Sequence, residues 1–243
     1  MSLVSDASGY WMGHSPDTIA RTHFTGTRQG GNGMRLGIYG GTFDPIHYGH
    51  LLLAERCREE LQLDEVWFIP AGTPPHKQGR VTTPARARAD MVEFAVSGFP
   101  EFRVSRIEME RGGPSYTVQT LEQLRTADPS RELFLLMGAD SIAELATWKD
   151  PSRILELAQV VAVNRAGEVP DLSSLDALMQ QTGRTVRTIE MPAMGVSASE
   201  IRTRVAHGQS IRFLTPRPVE MYLRQHNLYG ERPLGNTAQG TLP

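Results

Sequence analysis

Short apolar runs and helix-like stretches take turns along residues 36–225, and this alternation constrains the fold more than anything else in the chain. Residues 36–39, 66–69, 102–107, 133–137, 160–163 and 186–189 read as strands, the first closed by Gly40-Gly41 as a tight turn and the second by Pro70. Residues 47–61 carry Leu51, Leu52, Ala54, Cys57 and Leu61 close to a helical period. Pro84 stands at a first helical position after Thr83 as cap, with Met91, Phe94 and Ala95 on the apolar face of that helix. Residues 116–124, 143–148, 152–157, 197–205 and 219–225 read as further helices. Such alternation implies an α/β fold, a doubly wound parallel sheet in three α/β/α layers. Ligands of these sheets bind beyond the carboxyl ends of the strands, where strand order reverses, so chemistry is expected in the loop after the first strand.

Composition narrows the class. A chain of 243 residues with 40% hydrophobic and 21% charged residues can bury a full core without disulfides or a structural metal. The formal charge of −2 supplies no global basic field, so no nucleic-acid partner is expected, though a local anion site stays open. Cys57 is the single cysteine, which excludes an intramolecular disulfide and a Cys-based zinc site and fits a reducing cytoplasm. No apolar run is long enough for a bilayer, and the start lacks a secretion signal, so neither membrane nor export is expected. Residues 1–33, rich in Gly, Ser, Thr and Asp, read as a flexible extension, with a lid or partner-binding role as the alternative. Residues 231–243 read as a flexible tail after a single domain at 34–230. The sequence leaves an oligomer open.

The expected loop runs Gly40-Gly41-Thr42-Phe43-Asp44-Pro45-Ile46-His47-Tyr48-Gly49-His50. Two glycines permit close backbone approach to a ligand, and Asp44-Pro45 is a turn element. His47 and His50, three apart on the first helical turn, share a face. With the open N–H groups and positive dipole end of that turn, they make a phosphate clamp. The segment lacks the lysine and spacing of a P-loop and is not the dinucleotide fingerprint. A zinc site would need further ligands, and none is near in sequence. Taken alone, the two histidines also fit capping or surface roles. A second element, Val196-Ser197-Ala198-Ser199-Glu200-Ile201-Arg202, has capping-box spacing and brings hydroxyls, open N–H groups and a guanidinium to one turn.

The eleven residues from Gly40 to His50 resemble the hallmark of the nucleotidyltransferase superfamily named for its His-x-Gly-His motif, whose fold is Rossmann-like. The second element is similar to that superfamily's Ile-Ser-Ser/Ala-Thr-x-Ile-Arg, with Ser199 keeping the hydroxyl of the usual threonine. Further stretches are similar to bacterial nicotinate-nucleotide adenylyltransferases: Pro74-Pro75-His76-Lys77, Gly113-Pro114-Ser115-Tyr116-Thr117, Gly138-Ala139-Asp140-Ser141 with Trp148, Leu214-Thr215-Pro216 and Asn227-Leu228-Tyr229. The resemblance spans about residues 34–229. Asn164-Arg165-Ala166-Gly167 departs from the family's Arg-Pro-Gly.

The resemblance implies ATP contacts from Gly40, Gly41, Thr42, Phe43, His47, Gly49 and His50, with Thr42 near the reaction centre and Asp44 holding the turn. Ser197, Ser199 and Arg202 would bind the outer phosphates. Gly138 and Asp140 would meet adenosine and its ribose, and Arg165 the adenine side. His47, His50 and Arg202 are the candidate catalytic groups. For nicotinate mononucleotide the candidates are Thr42, His76, Lys77, Ser115, Tyr116, Thr117 and Trp148. Trp148 offers a stacking face, with a core tryptophan as the alternative, and the N–H groups of Tyr116 and Thr117 could receive the ring carboxylate. His76 and Lys77 could meet the mononucleotide phosphate, a solvated loop being the alternative. The resemblance implies adenylyl transfer from ATP to the phosphate of nicotinate mononucleotide, giving deamido-NAD and pyrophosphate, a reaction that needs no general base. Mg2+ would come bound to ATP, with no dedicated protein site. Other adenylyl- or cytidylyltransferases of the superfamily, accepting nicotinamide mononucleotide or phosphopantetheine, and a non-catalytic nucleotide sensor are the alternatives.

Overall fold

Residue parity sorts every long strand between two faces. In β4 (Glu132–Gly138), Phe134 and Leu136 enter one buried cluster while Leu133, Leu135 and Met137 enter the other. In β5 (Gln159–Arg165), Val161 and Val163 oppose Val160 and Ala162 in the same way. In β1 (Arg35–Gly41), Tyr39 opposes Leu36 and Ile38, and in β2 (Glu65–Pro70), Val66 and Phe68 oppose Ile69. A strand apolar on both parities has to be covered on both sides, which is the signature of a parallel sheet. The structure, a computed structural model, describes residues 33–73, 83–165 and 171–230. Nearly all of the expected extension and the whole expected tail lie outside these.

Six parallel strands, completed by β3 (Phe102–Val104) and β6 (Arg187–Met191), form one sheet in the order β3-β2-β1-β4-β5-β6. One face is covered by α1 (Tyr48–Glu60) and α2 (Ala85–Val96), together with α8 (Ala198–Ala206) and α9 (Arg217–Gln225). The other is covered by α4 (Thr117–Ala127), α5 (Ala139–Glu144) and α6 (Pro151–Leu157). This is the Rossmann-like, doubly wound α/β/α sandwich that the alternation implies. The chain builds outward from β1 to β3, then returns to lay β4 on β1's other edge. The carboxyl ends of β1 and β4 therefore flank the point where strand order reverses.

Several boundaries differ from the sequence reading. Gly40 and Gly41 do not turn: β1 runs through them, and the positive φ falls on Phe43, at 49°. A strand through residue 107 is not formed. Ser105 N–H makes the final bond to Phe68 O, and Ile107 opens the short helix α3 (Ile107–Arg111), whose charged residues carry no strand alternation. Pro84 is the cap of α2, not its first residue, its ψ of 138° being extended, and Thr83 N–H bonds the Asp44 carboxylate at 3.2 Å. Phe94 is 45% exposed and packs on Tyr222 of α9. The stretch after β4 turns helical at Ala139, four residues before residue 143, and ends in a 3-10 turn at Leu145–Thr147. A seventh helix, α7 (Asp176–Thr182), was not foreseen; it buries no residue fully and so leaves no apolar stripe to read.

Leu136 is 1% exposed at the centre of the sheet. Its truncation to alanine should cost about 2–5 kcal/mol, the range for a large-to-small core change. A shift of the urea midpoint worth less than that would mean the sheet centre closes over the cavity.

Candidate active site

The loop after β1 is built as a fixed object. Arg202 of α8 donates from Nη1 to Asp44 O at 2.7 Å. The Asp44 carboxylate accepts from Thr83 N and from the Tyr229 hydroxyl. Thr215 Oγ1 donates to Ile46 O at 2.7 Å, and Tyr48 N donates to Leu214 O at 3.2 Å. Asp44 is 7% exposed, so these bonds form where water competes weakly. The positions around Leu214-Thr215-Pro216 and Tyr229 thus brace the loop from afar. Tyr229 is correspondingly shifted up as an acid, by burial first and by the neighbouring Asp44 charge second.

At the loop's end His47 caps α1 and His50 is its third helical residue, so only His50 lies in the first turn. Their rings stack at 3.7 Å between centroids, inclined by 26°. His50 Nδ1 accepts from His47 N at 3.2 Å, which places the neutral ring's proton on Nε2 as a donor. Phe43 meets His50 edge-on at 5.1 Å. Gly49 sits close against the first of them: a Cβ there would lie 3.1 Å from the His47 ring, a tight contact.

One cleft of about 900 Å3 opens over the carboxyl ends of β1 and β4, within the usual size range of ligand sites. Its wall includes Gly40, Gly41, Thr42, Phe43, His47, Gly49 and His50 from the first motif, and Ser197 and Arg202 from the second. Gly138 and Asp140 line it from the end of β4, and Ser115, Tyr116, Thr117 and Trp148 from the opposite side. A Cβ on Gly40 would meet nothing within 4 Å, so that strand end faces open space. Two candidates, Ser199 and Tyr116, sit differently from the sequence reading, while Ser197 takes the capping role its spacing implies. Ser199, the second residue of α8, is exposed and off the wall. Ser197 Oγ accepts the capping bond from Glu200 N at 3.1 Å, which leaves its hydroxyl proton as a donor. Tyr116 N is taken by Pro114 O at 3.1 Å, so α4 offers the cleft its amides from Thr117 onward. His76, Lys77 and the Arg165 side chain lie outside the described residues.

Ser115 does more than line the wall. Its Oγ accepts from Gly72 N at 2.9 Å and Thr73 N at 3.3 Å, stapling the loop after β2 to the start of α4. Trp148 is half-buried, packed in part against the second core cluster as the core reading expects, and it also lines the cleft. Lys149 sits beside it, Nζ 4.7 Å from the centre of the Tyr116 ring. Among the described residues Lys149 and Arg202 are the two Lys or Arg side chains on the wall. Sequence reasoning missed Lys149, the buried Glu108 and the buried Arg88. The last was findable: Arg88, Met91, Val92 and Ala95 share one helical stripe, and a cation in an apolar stripe marks an interior bond network.

Among the described residues no group of three or more His, Cys, Asp or Glu could hold a metal ion, and no helix is long and apolar enough to cross a membrane. A family profile described as cytidylyltransferase-like matches residues 38–204. A relative from Thermomicrobium roseum, named "probable nicotinate-nucleotide adenylyltransferase", is 47% identical over 195 residues, covering 80% of this chain and 91% of its own. Another of that name, from Thermus thermophilus, is 44% identical over 196 residues, covering 81% of this chain and 100% of its own. A solved structure of Plasmodium falciparum nicotinic acid mononucleotide adenylyltransferase complexed with NaAD shares the fold, with a TM-score of 0.67 at 17% identity over 81% of this chain and 97% of its own.

Glu108 is 6% exposed, and burial raises its pKa against opposing hydrogen bonds from Thr120 and Ser115. A raised carboxyl contributes its stability below the unfolded pKa, about 4.3, and loses it as pH climbs through the folded value. Glu108→Gln should therefore gain stability over the native protein in urea unfolding as pH climbs from about 4 through the raised folded value, and level off above it. A difference that stays flat with pH would remove this titration from the wall.

Proposed function

The chain belongs to the nicotinate-nucleotide adenylyltransferase family, and from that premise we propose that its cleft transfers the adenylyl group of ATP to the phosphate of nicotinate mononucleotide. The products are deamido-NAD and pyrophosphate, and the step belongs to NAD biosynthesis in the cytoplasm. One observation carries this reading. The Arg202–Asp44 bond joins the two phosphate-binding motifs into one wall, and that wall faces Tyr116 and Trp148 across the same cleft.

A mononucleotide phosphate oxygen attacks the α-phosphorus of ATP in line. The new P–O bond forms as the bond to the β-phosphate oxygen breaks and pyrophosphate leaves. The nucleophile is largely dianionic at neutral pH, its second pKa being about 6, so no side chain has to remove a proton. Rate then comes from alignment and from stabilising charge on the phosphate oxygens. In this reading His47 and His50 donate to the phosphates next to the reacting centre, while Thr42 and the strand end at Gly40-Gly41 lie against them. Ser197 and Arg202 hold the pyrophosphate end. The donor set is imidazole, hydroxyl and guanidinium, which suits phosphate rather than a cation, so any magnesium ion would arrive with ATP and would help neutralise its phosphate charge. Asp140 and Gly138 take the adenosine side. The nicotinate ring lies on Trp148, its carboxylate toward the start of α4 at Thr117 and toward Lys149.

Pyrophosphate release from ATP should be rapid with nicotinate mononucleotide and slower with the nicotinamide compound; release with neither would defeat the assignment. His50→Ala should lower the turnover number roughly 10²–10³-fold, as for loss of one donor to a developing oxyanion. Lys149→Met should reduce the preference for the nicotinate substrate by up to about fivefold, the worth of a solvent-exposed ion pair. An unchanged preference would take Lys149 out of carboxylate recognition.

A further inference from the structure

Arg88 lies on the core side of α2 with 1% of its surface exposed, and among the described residues it makes no ion pair. Every bond of its guanidinium goes to a main-chain carbonyl. Nη1 donates to Thr42 O at 2.6 Å, Nη2 to Ala71 O at 2.6 Å and to Gly72 O at 3.3 Å, and Nε to Thr83 O at 2.9 Å. Burial works against the charge, and the neighbouring Asp44 carboxylate favours it. A buried cation that only orders carbonyls is an expensive way to fill a core. What it achieves is to fix two loops relative to each other: the one after β1, which carries Thr42 on the phosphate wall, and the one after β2, at Ala71 and Gly72.

The second loop continues the path. Gly72 N and Thr73 N bond Ser115 Oγ, and Ser115 adjoins Tyr116 and Thr117 at the start of α4. Hydrogen bonds thus run from the triphosphate side of the cleft, through Arg88, to the side that faces Trp148. We propose that Arg88 is a positioning residue that sets the distance between the two substrates and touches neither. The inference rests on the adenylyl-transfer reading, in which attack is direct and no covalent intermediate or base can compensate for a misplaced nucleophile. The guanidinium suits the task because its planar fork of donors has fixed directions, which an ammonium on a flexible stem lacks.

Arg88→Lys keeps the charge and loses the fork. With ATP alone and with nicotinate mononucleotide alone, its affinities should stay within about threefold of native, because each half-site survives. With both substrates saturating, its single-turnover rate should fall about 10–100-fold, the cost of a reacting pair held roughly 1 Å out of line. A native rate, or a loss carried wholly by the affinity for one substrate, would overturn the proposal. If Arg88→Lys does not fold, Ser115→Ala cuts the same path one step on: native ATP affinity with a reduced saturated rate supports the path, and a native saturated rate overturns it. Failure of the native enzyme to release pyrophosphate would instead sink the adenylyl-transfer reading itself, so the two failures are distinguishable.

Discussion

The site depends on one buried residue, Asp44, whose backbone oxygen and carboxylate accept bonds from three distant parts of the chain: Arg202, Thr83 and Tyr229. A loop at a sheet's carboxyl end ordinarily owes its shape to its own turn residues. This one owes it to partners elsewhere, and a carboxylate with fixed donors in a buried setting holds its geometry better than a solvated loop can. Once Asp44 is fixed, His47 can cap α1, His50 can stack on it, and the first turn of that helix points into the crevice left by the reversal of strand order.

The sheet was largely legible, because a strand buried on both faces writes an uninterrupted apolar run and its spacing is short. The cleft was legible where chemistry and local geometry agree, as with His47, Gly49 and His50, or Ser197 and Arg202. It failed where a residue's role is decided by something remote. Gly40-Gly41 looked like a turn on local grounds, yet pairing with β2 carries the strand through both. Tyr116 seemed free to bind with its amide until Pro114 claimed it. Ser199 matches a motif position, and two residues past the cap it lies exposed. Arg88 could be read as a buried cation from its apolar stripe, but its partners could not, because main-chain acceptors leave no trace in residue type.

The two walls of the cleft solve different problems. The wall built from the two motifs is made of donors in rigid positions, two of them stacked rings with a glycine between, where a Cβ would press on the first ring. The opposite wall is softer, with a half-buried indole and an exposed lysine over a phenol ring. A phosphate chain has the same charge and shape in every nucleotide, so rigid donors suit it.

The braces of the phosphate loop also carry a consequence for how the protein comes into being. Arg202, Thr215 and Tyr229 reach back across 158, 169 and 185 residues to grip the loop. A ribosome releases the amino-terminal part first. The histidines therefore emerge early, on a loop with nothing to hold it, and wait for nearly the whole domain before their last supports arrive. Competence waits for Tyr229, and a chain cut short after β6 would keep both histidines while lacking the grip that places them.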